Sequence, residues 1–158
     1  MMATPFHDVT FGERLSFQNV VSHRTKCHYT AMAAQFDEFV SRVEATGCEP
    51  VGPLFYSLNN VPMDEMVDIE TFLPIRQGTF PRHEDFLFHS YVDVSPLLRG
   101  IVKGEFEEQT EAVYTQLLAT LEANDLEINS PFYHVFQKDP SPFVLVYVGY
   151  VDPDQSAP

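Results

Sequence analysis

Residues 11–21 (FGERLSFQNVV) alternate apolar and polar positions through Leu15 and Phe17 before Val20 and Val21, the period-two pattern of a half-buried strand. After SHRTKCHY the period changes. In TAMAAQFDEFVSRVEATG, Met32, Phe36, Phe39, Val40 and Val43 recur at helical spacing, Glu38 and Arg42 pair at i,i+4, and Gly47 supplies a C-terminal stop, which predicts a helix. The run 54–58, opened by Pro53, predicts a strand. Asn59, Asn60 and Pro62 turn the chain, and residues 66–75 return as the antiparallel partner. A polar connection over 76–85 leads to FLFHSYVDV (86–94), which alternates again, and residues 98–105 continue toward a second helix, EEQTEAVYTQLLATLEAND. Its apolar face is Val113, Tyr114, Leu117, Leu118 and Leu121, and acidic residues at its start suit the positive end of the helix dipole. Residues 132–137 and 143–151 predict two closing strands.

The two halves superpose in sequence without a gap. Pro53 falls on Pro131, an offset of 78, and the same offset sets Phe36 on Tyr114, Phe39 on Leu117, Val43 on Leu121 and Glu49 on Glu127. The expected fold class is therefore α+β. Two β-α-β-β units (pseudo-repeats about 11–75 and 86–151) join into one antiparallel sheet, with both helices on one face and a central groove. Residues 1–151 read as a single domain and 152–158 as a disordered tail.

Composition narrows the function classes. At 158 residues and 44% hydrophobic, the chain is long enough to bury a proper core. Nine Lys and Arg against a net charge of -14 make phosphate neutralisation impracticable, so no nucleic-acid partner is expected. Cys27 and Cys48 show no CxxC spacing and read as reduced thiols. The N-terminus lacks the basic start and apolar run of a signal peptide, and no run approaches about 20 apolar residues, so the expectation is a cytoplasmic protein without a membrane partner.

Candidate chemistry centres on GPLFYSLNNVPMDEMVDIETFLPI. Asp68 and Glu70, two apart on a strand, share one face, where they would hold a cation or act as general base if it lines a cleft, and serve as plain surface charges if it meets solvent. Phe55, Tyr56, Phe132, Tyr133, Tyr147 and Tyr150 would stack on a planar ligand or pack as core, and alternation lets only half of them reach any one cleft. The six histidines lack ligand spacing, and Cys27-His28 lacks a positioned third group, so neither metal nor cofactor is expected. The acidic run Glu105, Glu107, Glu108 and Glu111 reads as a solvated helix start or as a patch for a basic partner.

The duplicated order, with VDIETFLPI closing the first unit and GEFEEQTEAVYTQLLATLEANDLEINSPFYHVFQKD in the second, resembles the gyrase-inhibitor-like effector-binding superfamily. More narrowly, GPLFYSLNNVPMDEMVDIETFLP with FLFHSY looks like a small family of uncharacterised bacterial proteins on that fold. The resemblance covers nearly the whole chain and implies an aromatic-lined cleft between the units with an acidic side chain for cationic or polar ligands. Glu70 matches the first unit's carboxylate position. The second unit departs from the pattern, because no carboxylate lies between Phe143 and Val151, which argues against a drug-like cation sensor of the usual kind. No helix-turn-helix segment precedes the repeats, so a self-contained transcription regulator is not expected. The expected function is non-enzymatic binding of an unidentified small molecule in the inter-repeat groove by Glu70, Asp68, Tyr56, Phe72, Tyr133 and Tyr147. The alternatives are a protein-interaction module (inhibitor, adaptor or chaperone-like partner) with an acidic surface, and a small hydrolase using Glu70. Either a monomer or a homodimer is compatible with this reading.

Overall fold

The computed structural model describes residues 6–60, 64–104, 106–138 and 141–154. Along them run β1 (Thr10–His28), a single 3-10 turn (Tyr29–Ala31), α1 (Met32–Ala45), β2 (Phe55–Leu58), β3 (Met66–Pro74), β4 (Leu87–Val102), α2 (Phe106–Ala123), β5 (Glu127–Gln137) and β6 (Phe143–Val151). Each half has the order strand, helix, strand, strand. Pro62 of the expected turn, Glu105 of the acidic run and residues 155–158 of the expected tail lie outside the described residues.

Three strands are longer than the alternation predicts, each for a local reason. β1 continues to His28 because the pattern slips rather than stops. Phe17 stacks on Phe55, and Ser22 is registered opposite Phe72, which itself faces Phe55, so Phe17 and Ser22 share a face across an odd spacing. A regular strand forbids that, and Asn19, at a φ of 55°, is the inserted residue that permits it. β4 passes through Pro96 to Val102, where the sequence suggested an approach to the helix. β5 begins at Glu127 and absorbs a register shift between Ile128 and Phe132.

The expected open sheet is corrected by the strand order. Hydrogen bonding runs β1-β3-β2-β5-β6-β4 and closes as a six-stranded antiparallel barrel. β1 and β4, at 19 and 16 residues, outrun the nine-residue partners β3 and β6, so each keeps backbone donors and acceptors for a further neighbour.

Two compact units are distinguished. One is Ser16–Asp93, and the other consists of the chain's two ends, up to Leu15 and from Val94 onward. In the first, β1 and β2 flank β3, with Arg24 and Ser57 both opposite Glu70. The odd-numbered side of β3 packs against α1. Val67 and Ile69 meet Met32 and Phe36, while Val21, Leu73 and Ile75 meet Phe39, Val43 and Phe86. Burying each of these large side chains contributes about 1.5–3 kcal/mol. Cys27 and Cys48 are buried free thiols. Arg42 does not pair with Glu38. It reaches Asp85 at 3.0 Å and lies over the Phe86 ring, because the loop after β3 returns across the end of α1.

In the second unit, β6 is flanked by β4 and β5, and α2 lays Val113, Leu117 and Leu121 on Leu98, Val102, Val146 and Val148. Gly100 makes this approach possible, since a Cβ there would stand 2.5 Å from Val113 Cγ1. Leu118, expected on this face, is 45% exposed, because α2 buries a narrower stripe than the sequence suggests. The N-terminal segment joins this unit. Val9 enters its core, Gly12 N–H donates to the Tyr150 hydroxyl at 3.0 Å, and Glu13 pairs with Arg99 at 2.6 Å.

Candidate functional site

In the Ser16–Asp93 unit, the face of β3 turned away from α1 carries Asp68, Glu70 and Phe72 in succession. Their surroundings differ. Asp68 accepts a bidentate bridge from Arg24, at 3.0 Å from Nε and 2.9 Å from Nη2, and this bond holds its carboxyl below the usual carboxylate range. Phe72 is buried and stacked on Phe55. Glu70, half-buried between them, has no ion pair among the described residues. Its Oε2 accepts a 2.9 Å hydrogen bond from the Ser22 hydroxyl.

Ser22 is fully buried on β1, and its Oγ also lies 2.9 Å from Nε2 of His89 on β4. A serine hydroxyl carries one proton, and a carboxylate can only accept. The proton therefore goes to Glu70, and His89 donates its own Nε2–H to Ser22. Donation runs from His89 through Ser22 to Glu70. A serine nucleophile needs the opposite polarity, with an imidazole lone pair drawing the hydroxyl proton away.

Beside this relay lies a cavity of about 350 Å³ lined by Ser22, His23, Arg24, Glu70, Glu84, Asp85 and Leu87. Its volume is at the lower end of small-molecule sites. Arg24 is engaged by Asp68, and Asp85 by Arg42, whose hydrogen bond lowers the Asp85 pKa. Glu84, like Glu70, has no ion pair among the described residues. Burial, reinforced by the charge of Arg42, lowers the His23 pKa below its ordinary value, so the imidazole is neutral at pH 7. The lining is therefore net negative. Among the described residues no group of three His, Cys, Asp or Glu is arranged to hold a metal ion.

Tyr56 points to the α1 side, its ring 5.1 Å from that of Phe36, and burial pushes its phenol well up. Tyr133 and Tyr147 lie in the second unit as a cross-strand pair on β5 and β6. Tyr147 is buried, which raises its pKa against the pull of Arg99. Ser22, His89 and Glu84 were not singled out from the sequence. The phase slip at Asn19 hid Ser22, whereas FLFHSY placed His89 on an alternating strand and was the available signal.

Residues 16–148 match the family described as a domain of unknown function, DUF5085. The chain belongs to the DUF5085 family. Comparison with curated proteins gave no match. Among solved structures, the DUF5085 chain is similar to EcmrR in the cryo-EM structure of the EcmrR-DNA complex in EcmrR-RPo. That likeness has a TM-score of 0.70 at 12% identity and covers 92% of this chain and 58% of that one. The chain thus spans little more than half of that EcmrR chain. It is also similar to the crystal structure of the EcmrR C-terminal domain, with a TM-score of 0.66 at 10% identity over 88% of this chain and 96% of that one. At such identities the likeness is one of fold. Among the described residues, no helix is long and apolar enough to cross a membrane.

Proposed function

We propose that this DUF5085 chain is a non-enzymatic binding protein for a small cationic molecule, with Glu70 as the receptor carboxylate. The observation that carries the reading is a half-buried carboxylate that has no ion pair among the described residues and is fixed by a buried hydroxyl at the wall of a net-negative cavity. A structural carboxylate in that setting would ordinarily be paired. The gyrase-inhibitor-like resemblance and the fold shared with the EcmrR C-terminal domain support ligand binding as the role. The polarity of the Ser22 relay speaks against a serine hydrolase. The test is thermal-shift screening of wild type and Glu70→Gln against cationic, aromatic and haem-like compounds. At 100 times its dissociation constant a ligand adds about 2.7 kcal/mol of stability. Stabilisation of the wild type that disappears in Glu70→Gln supports the reading, and stabilisation that survives the substitution overturns it.

A second reading, a protein-interaction role, is favoured by Leu87 and Tyr91, which are 61% and 51% exposed on one side of β4. Pull-down with wild type and a Leu87→Ser/Tyr91→Ser variant discriminates the two. A partner lost with the double substitution and kept by Glu70→Gln would favour this second role.

A further inference from the structure

The relay fixes which cation the cavity is built to take. Ser22 occupies Oε2 of Glu70 with a hydroxyl that is itself held in place by His89, and it is 0% exposed. Among the described residues nothing donates a hydrogen bond to the second oxygen, Oε1, which is left to accept from a ligand. Among the described residues lining the cavity there is no Phe, Tyr or Trp, whereas recognition of a quaternary ammonium relies on aromatic faces around the charge. The lining instead offers carboxylate acceptors, suited to charge-assisted N–H bonds, together with Leu87 for an alkyl segment.

Resting on the binding role proposed above, we infer that the cavity takes a protonated primary or secondary alkyl amine, with Ser22 and His89 as positioning residues that orient Glu70 toward the ligand's N–H. A quaternary cation of the same charge has no hydrogen to give that oxygen, so it gains only the general attraction of the lining. The relay then sets specificity through the orientation it gives Glu70.

The probes are n-butylammonium and tetramethylammonium, titrated by calorimetry at equal ionic strength into wild type, Glu70→Gln, Ser22→Ala, Ser22→Thr, His89→Gln and His89→Leu. Circular dichroism verifies the fold of each variant. The expected result is that wild type binds butylammonium at least about tenfold more tightly, the equivalent of one charge-assisted hydrogen bond. Ser22→Ala and His89→Leu reduce that ratio. Ser22→Thr, which keeps the hydroxyl, and His89→Gln, which keeps a donor, retain it. If Ser22→Ala does not fold, His89→Leu against His89→Gln makes the same comparison. Equal or preferential binding of tetramethylammonium that is lost in Glu70→Gln overturns this inference and leaves the binding role standing. A butylammonium preference unchanged in every Ser22 and His89 variant overturns the positioning roles. Binding of neither probe to wild type overturns the amine assignment, and the broader compound screen then decides the binding role separately.

Discussion

The rings of Phe55 and Phe72 stack with centroids 4.7 Å apart and planes 7° from parallel, and Phe17 adds a second stacked ring at 5.1 Å from Phe55. This stack is the floor of the strand face that presents Glu70. Phe72→Ala is expected to cost about 3–5 kcal/mol, as for other buried aromatics. A double-mutant cycle with Phe55→Leu and Phe72→Leu should give a coupling of about 1 kcal/mol, measured from urea unfolding.

Gly100 and Val113 form a matched pair, the absent Cβ leaving room for the valine side chain on α2. Gly100→Ala should destabilise by about 1–3 kcal/mol through overpacking. Val113→Ala removes the opposing methyl, so the double variant should be less destabilised than the two single costs predict, and chemical denaturation of all four proteins checks this.

His23 makes stability sensitive to pH in a defined window. Its folded pKa is lowered from 6.5 by burial, so the unfolded chain binds its proton first as pH falls. The contribution is fully present above about pH 6.5 and is lost as pH drops toward the folded pKa. His23→Phe, which keeps a ring against Phe39 and Phe86, should show a smaller fall in urea midpoint between pH 7.5 and pH 5.5 than wild type. The carboxyls of Asp68 and Asp85, both held low by arginines, act in a separate window, below about pH 4.

Glu70→Gln should leave ligand-free stability within about 0.5 kcal/mol of wild type or slightly above it. The amide keeps an acceptor for Ser22 and removes a charge that has no ion pair among the described residues. Thermal unfolding without ligand checks this, and a large loss would mark Glu70 as structural.

Much of the fold was legible because its elements obey one period at a time. The α1 stripe of Phe36, Phe39 and Val43 packs where helical spacing put it, and β3 faces its apolar odd positions toward that helix. The extensions of β1 and β4 were not legible, since a left-handed Asn19 resets the alternation and Pro96 reads as a break while sitting within a strand. At the candidate site, the sequence pointed to Glu70 and its face but could not show that Arg24 occupies Asp68 or that Tyr56 turns toward α1. It also missed Ser22, whose role depends on a partner 48 residues away in sequence and another 67 away.

The ends of the chain share a unit, and that has a temporal side. The bond from Gly12 to Tyr150 spans 138 residues, so the ordered N-terminal segment cannot find its place during synthesis until nearly the last strand has emerged. The Ser16–Asp93 unit has all its residues as soon as Asp93 leaves the ribosome. The half of the molecule that holds the Glu70 cavity is thus complete first, and the segment around Gly12 is secured only after Tyr150 has emerged.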